Sequence, residues 1–186
     1  MAITISGDSP NLTSASLTTP TLTSPTFAGT PSGSIITSMT AQASTSGTSI
    51  DFTSIPSWVK RITVMFNGVS TNGTSSFLIQ IGAGSVTTSG YVGNASSYAN
   101  TVATSTAGFI LTQANVASAS YSGHIVITNL TSNTWVESSV LIPTNSNSGQ
   151  GSGGNIALGG TLDRLRITTV NGTDTFDAGS INILYE

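Results

Sequence analysis

From residue 50 onward, apolar residues recur at every second position. In KRITVMF, Ile62, Val64 and Phe66 fall on one side of an extended chain, and in SFLIQIG, Phe77, Ile79 and Ile81 do. HIVITNL sets Ile125 and Ile127 against His124, Val126 and Thr128. LDRLRITT sets Leu165 and Ile167 against Arg164, Arg166 and Thr168, and the terminal SINILYE places Ile181, Ile183 and Tyr185 together. Weaker strands are predicted near 50–52, 91–92, 108–112, 134–142 and 155–158. Turn signals separate them: NG at 67–68, 72–73 and 171–172, and the run NSNSGQGSGG at 145–154. No helical period of useful length occurs. About eight to ten strands in roughly 140 residues predict an all-β domain over 47–186, a β-sandwich of jelly-roll-like form.

Residues 1–46 follow a different rule. In LTSASLTTPTLTSPTFAGTP, Leu12, Leu17, Leu22 and Phe27 recur every five positions, with Pro20 and Pro25 between them and Pro10 ahead. Proline removes a backbone donor and fixes φ, so this spacing forbids a helix or a central strand. Five residues also send successive apolar side chains to opposite faces of a flat strand. The pattern fits a segment that turns once per pentad, or one lying extended in grooves about 15–17 Å apart. Ile35, Ile36 and Met39 close the block. Burying four side chains does not offset the entropy of ordering some thirty residues. Such a segment orders only against identical neighbouring chains around an axis, or against another protein; the plain alternative is a flexible linker. The expected organisation is an extended stem or anchoring arm over 1–46 and a head over 47–186.

Composition narrows the function. Charged residues make up 6% of the 186-residue chain, against roughly 25% in an average globular protein, so the surface is built from Thr, Ser, Asn and Gly. The net charge is -3, and the four basic residues are Lys60, Arg61, Arg164 and Arg166. That is too few to neutralise several phosphates on one face, so no nucleic-acid binding is expected. The absence of cysteine excludes disulfides and thiolate metal sites. No apolar run reaches the roughly 20 residues of a membrane-spanning helix, so no membrane insertion is expected. MAITISGDSPN lacks the basic and apolar regions of a signal peptide, and a soluble chain starting at its own initiator Met is expected.

Reaction chemistry is hard to find. His124 is the lone histidine, on the polar side of its predicted strand, and is expected to be exposed or at an interface. Asn171, Asp174 and Asp177 in NGTDTFDAGS offer oxygens to calcium, but calcium takes six to eight, and Asx turns are the favoured reading. A glycosidase needs two carboxylates across a cleft, and the chain has seven acids in all. Arg164 and Arg166 share a face, where they pair with acids such as Asp163, Asp174 or Asp177, or grip an acidic sugar; structural pairing is favoured. No GxSxG elbow occurs, and GSGG at 151–154 and GAG at 82–84 lack the lysine and helix of a phosphate loop. Five N-x-S/T sequons, at Asn11, Asn72, Asn94, Asn129 and Asn171, are what chance supplies in so Ser/Thr/Asn-rich a chain. Tyr91, Tyr98 and Tyr121, among Gly, Ser and Asn, are candidate platforms for sugar rings or else core residues. No catalytic residue, metal or cofactor is expected.

The segments IPSWVKRITVMFNGVSTNGTS and LDRLRITTVNGTDTFDAGSINILYE, with the Gly/Ser-rich span between them, resemble a domain at the C-terminal end of fibre and other virion proteins of tailed bacteriophages. TLTSPTFAGTPSG is similar to the Thr/Pro/Gly repeats that precede such heads. The resemblance implies a non-enzymatic, homotrimeric structural protein on the virion surface, with a β-rich head on a thin stalk. Leu12, Leu17, Leu22 and Phe27 would then face the threefold axis or pockets on another virion protein of the capsid or tail. Pro20 and Pro25 would restrict the unfolded chain and block strand pairing between fibres. Trimeric display would multiply weak contacts to host-surface polysaccharide. The alternatives are a capsid decoration or cement protein, a carbohydrate-binding module, and a depolymerase, the last disfavoured by the sparse acids.

Overall fold

The computed structural model describes residues 36–98, 101–144 and 148–186. Leu12, Leu17, Leu22, Phe27, Pro20 and Pro25 lie outside them. The described residues form fourteen strands and no helix. In chain order they are β1 Thr37–Ser38, β2 Gln42–Ala43, β3 Ile50–Thr53, β4 Arg61–Thr71, β5 Phe77–Ala83, β6 Ser85–Val86 and β7 Val92–Ser97. There follow β8 Val102–Ser105, β9 Phe109–Ile110, β10 Tyr121–Thr131, β11 Thr134–Pro143, β12 Gln150–Ala157, β13 Arg164–Thr169 and β14 Phe176–Tyr185. Every pairing is antiparallel, so the all-β expectation holds.

Nine strands make the larger sheet, in the order β1-β14-β4-β10-β11-β12-β7-β8 with β2 also on β14; five make the smaller, β3-β13-β5-β6 with β9 on β5. The alternating residues of the sequence supply the core. Ile62, Val64, Ile125, Ile127 and Ile183 of the larger sheet, and Phe77, Ile79, Ile81, Leu165 and Ile167 of the smaller, are all fully buried and belong to one apolar cluster. Phe77 anchors it, edge-on to Phe66 and Tyr121 at centroid distances of 5.4 and 5.3 Å and stacked on Phe176 at 6.2 Å. The other face of β5 is buried too: Leu78 meets Ala95 and Ile110 in a second, smaller cluster.

Three expectations change. The sequence reading carried the stem to residue 46, but 37–38 and 42–43 already pair with β14. Asn67-Gly68 is not a turn; it sits inside β4, where the register against β14 slips between Ala178 and Ser180. The bulge needs glycine at 179, because Gly179 has φ 92° and a Cβ there would lie 2.4 Å from the Gly68 carbonyl oxygen. Finally, the second half of the glycine-rich run 145–154 is not loop. Residues 150–157 form β12, hydrogen-bonded on one side to β11 and on the other to β7.

Candidate functional site

The outward face of the larger sheet is the distinctive surface of the described residues. Alternation turns Ser122, His124, Val126 and Thr128 of β10 outward, and with them Val136, Ser138, Val140 and Ile142 of β11. Cross-strand register carries the rows onward: Val140 lies opposite Gly151, then Ser96, then Val102; Ser138 lies opposite Gly153, then Asn94, then Thr104. Val136 lies opposite Asn155, then Val92. Among these five strands the one ionisable acid or base besides His124 and the buried Tyr121 is Glu137, which faces inward. Over these five strands the outward face therefore carries no Lys, Arg, Asp or Glu, and mixes amides, hydroxyls and His124 with exposed valines such as Val92 and Val140.

It is not flat. A depression of about 540 Å³ lies over β7, β8 and β12, lined by residues including Val92, Asn94, Thr104, Val136, Gly153 and Asn155. Another of about 400 Å³ continues over Gly151 and Gly153 beside Asn94 and Ser96. A third of about 430 Å³ lies over β10 and β11, beside His124, Val126 and Val140.

The three tyrosines part ways. Tyr91 is buried, and its hydroxyl accepts the Ile81 N–H at 2.8 Å and donates to the Ile81 carbonyl at 3.1 Å. Burial pushes its pKa up to about 12, partly offset by the Ile81 bond. Tyr121 is buried against Phe77, and burial raises its pKa also. Neither ring presents a face to a sugar, which corrects the reading of both as glycan contacts. The Gly, Ser and Asn residues that follow them lie in β7 and β10, while residues 87–90 and 111–120 ahead of them are outside strands. Tyr98 differs: it is 70% exposed and stands at the end of β7. His124 is exposed on the outward face, where its strand placed it.

The charged residues are committed elsewhere. Arg166 makes a bidentate pair with Asp51 at 2.7 and 2.8 Å, across the β3–β13 ladder that sets them opposite. Arg164 does the same with neighbouring Asp163 at 2.8 and 3.1 Å, which holds that carboxyl below its usual range. Arg61 meets Glu186 at 3.1 Å, and Lys60 donates to the Asn129 side chain at 3.4 Å. In the 171–174 turn, the Asn171 side-chain oxygen accepts the backbone N–H groups of Thr173 and Asp174, while its amide donates to Asp174 at 2.6 Å. The second Asp174 oxygen accepts the Ser75 N–H at 2.9 Å, and Asp177 accepts a bond from the Ser70 hydroxyl. This is the Asx-turn arrangement.

Glu137 has the one strongly perturbed carboxyl among the described residues. It is 5% exposed, and Oε1 accepts the Ser152 hydroxyl at 2.8 Å while Oε2 has no partner. Ser139 and Ser152 share a further bond at 2.5 Å. Burial pushes the Glu137 pKa up to about 7 against the two serine bonds. The group is therefore largely uncharged in mildly acid solution.

Sequence reasoning missed the floor and walls of the depressions. Gly149, Gly151 and Gly153 recur every second residue, which is strand period, and that signal was available inside a run otherwise read as loop. No family model matches the chain, and neither a curated protein nor a solved structure matches it.

Proposed function

We propose that this chain is a non-enzymatic structural protein of a bacteriophage virion, a trimeric short fibre. Its Thr/Pro-pentad stem anchors to the particle, and its head, a jelly-roll-like β-sandwich, is displayed outward. One observation above all supports this reading. Over β7, β8 and β10–β12 the described outward sheet face carries no Lys, Arg, Asp or Glu, while those side chains elsewhere are engaged in ion pairs, turns, a bond to Asn129 and one buried site. Such a surface stays hydrated without strong fields, as a displayed head requires. The sequence resemblance of the stem and head segments supplies the rest, and the same reading makes host-surface polysaccharide the natural contact.

Native mass by light scattering on the full chain tests it. Three times the 18.8 kDa of one chain is expected; the mass of a single chain would remove the trimer from the proposal. Counting copies on purified particles then separates a fibre, at a few copies, from a decoration protein at tens to hundreds.

A further inference from the structure

The depression over β12 is walled by groups whose hydrogen-bonding capacity the fold leaves unused. The side chains of Asn94, Asn155 and Thr104 line it, and none makes a hydrogen bond among the described residues. Each amide offers both a donor and an acceptor. Val92 and Val136 add apolar contact beside them. No Lys, Arg, Asp or Glu side chain stands on this side of β7, β8, β11 or β12. The volume, about 540 Å³, is that of a small-molecule site.

The floor carries an independent argument. Gly151 and Gly153 face outward, and neither has a positive φ. A Cβ at either would come no closer than 3.7 Å to a backbone oxygen, an ordinary contact. The fold therefore has room for a side chain at both. Elsewhere it does not: a Cβ at Gly154 would lie 2.7 Å from the Val92 carbonyl oxygen, and at Gly123 2.1 Å from that of Val140. Glycine weakens a strand interior, and where no internal contact demands it, close approach of something from outside is the physical reason left. At the far end the groove is closed, since a Cβ at Gly149 would lie 2.5 Å from the exposed Tyr98 ring and 2.7 Å from Ile142. From Gly151 to Asn155 the lane runs about 14 Å at ~3.4 Å per residue, the length of two to three sugar rings.

The geometry points to a binding groove for a neutral glycan chain, seated on Gly151 and Gly153 with its hydroxyls bonded by Asn94, Asn155 and Thr104. Amides and hydroxyls match sugar hydroxyls in both directions. The valines meet the C–H faces, and Tyr98 offers a ring at the end. An anionic sugar or a phosphate finds no cation here. An extended peptide cannot add as a strand at β12, which is paired on both sides; the free edge on this side of the sheet is β8, at the side of the depression and not along its glycine floor. The inference deepens the display reading and rests on it for the source of the glycan.

The test is binding of the full chain to a panel of bacterial surface polysaccharides, neutral ones against those bearing uronic acid or phosphate. It compares the parent with Gly153→Val and Asn94→Ala. Binding confined to neutral polysaccharides is expected, lost by more than tenfold in Gly153→Val and weakened roughly 3- to 10-fold in Asn94→Ala. The Tm of Gly153→Val should be unchanged or raised by roughly 2 °C, since valine suits a strand and the space exists. No binding to any neutral polysaccharide overturns the inference, as does preference for the anionic ones or binding indifferent to Gly153→Val. If Gly153→Val instead lowers the native mass, the lane is a contact between copies and the glycan assignment falls. A monomer that binds keeps the groove and refutes the trimeric fibre; a trimer that does not bind does the reverse.

Discussion

Replacing Glu137 by glutamine should change how stability depends on pH. The carboxyl is 5% exposed, with one oxygen lacking any partner and the other held by Ser152. Its pKa rises from 4.5 to about 7 on folding. Between those values the folded chain holds a proton that the unfolded chain has released. Stability is therefore fully present below the unfolded value and falls as pH rises toward the folded one. At ~1.4 kcal/mol per tenfold, the loss is about 3 kcal/mol by pH 8. Glutamine is nearly isosteric and does not titrate, so the difference in unfolding free energy between variant and parent should grow in the variant's favour by about 3 kcal/mol from pH 4.5 to pH 8. Urea unfolding at half-unit intervals, at constant m, measures it. Taking the difference cancels the remaining groups, which the two proteins share. A difference constant to within ~0.5 kcal/mol over that range would refute the claim that Glu137 is neutralised in the interior.

Other substitutions probe other parts of the argument. Tyr91→Phe removes a hydroxyl that serves both the N–H and the carbonyl of Ile81; it should cost about 1–3 kcal/mol in urea unfolding, and no measurable cost would mean water takes over. Gly179→Ala forces a Cβ to within 2.4 Å of the Gly68 oxygen; a Tm lowered by several degrees is expected, and an unchanged one would argue against the paired bulge. Arg166→Ala breaks a pair whose partners are 37% and 40% exposed, so the loss should stay under ~1 kcal/mol. The double change Leu17→Asp and Leu22→Asp should leave the head folded by circular dichroism but abolish stem assembly; normal incorporation into particles would sink the anchoring role of the stem.

Much of the core could be read directly. Ile62, Val64 and Phe66 alternate strictly because a strand buried on one face must alternate, and Phe77, Ile79 and Ile81 mark the side of β5 that meets the main cluster although its other side is buried as well. The five such runs became β4, β5, β10, β13 and β14. The groove was far less legible. β7, β8 and β12 are rich in Gly, Ser, Ala and Asn and bury little side-chain area. Hydrophobic period, which reports burial, is silent about strands held mainly by backbone hydrogen bonds.

The pattern of strong alternation, the scarcity of charge and the resulting all-β class were properties of the amino-acid order alone. Which way β11 faces was not. TWVESSVLI alternates two mixed sets, and by hydrophobicity Val136, Val140 and Ile142 have the better claim to the interior. The structure buries Glu137 and Ser139 instead, leaving Val140 and Ile142 half exposed. Register decides it: β10 turns Ile125 and Ile127 inward, and the residues opposite them are Ser139 and Glu137. Opposed residues in a ladder share a face, so the strand with the stronger pattern imposes its orientation on the weaker one. That imposed orientation buries the carboxyl, opens the valines and sets the glycines of β12 on the outer surface.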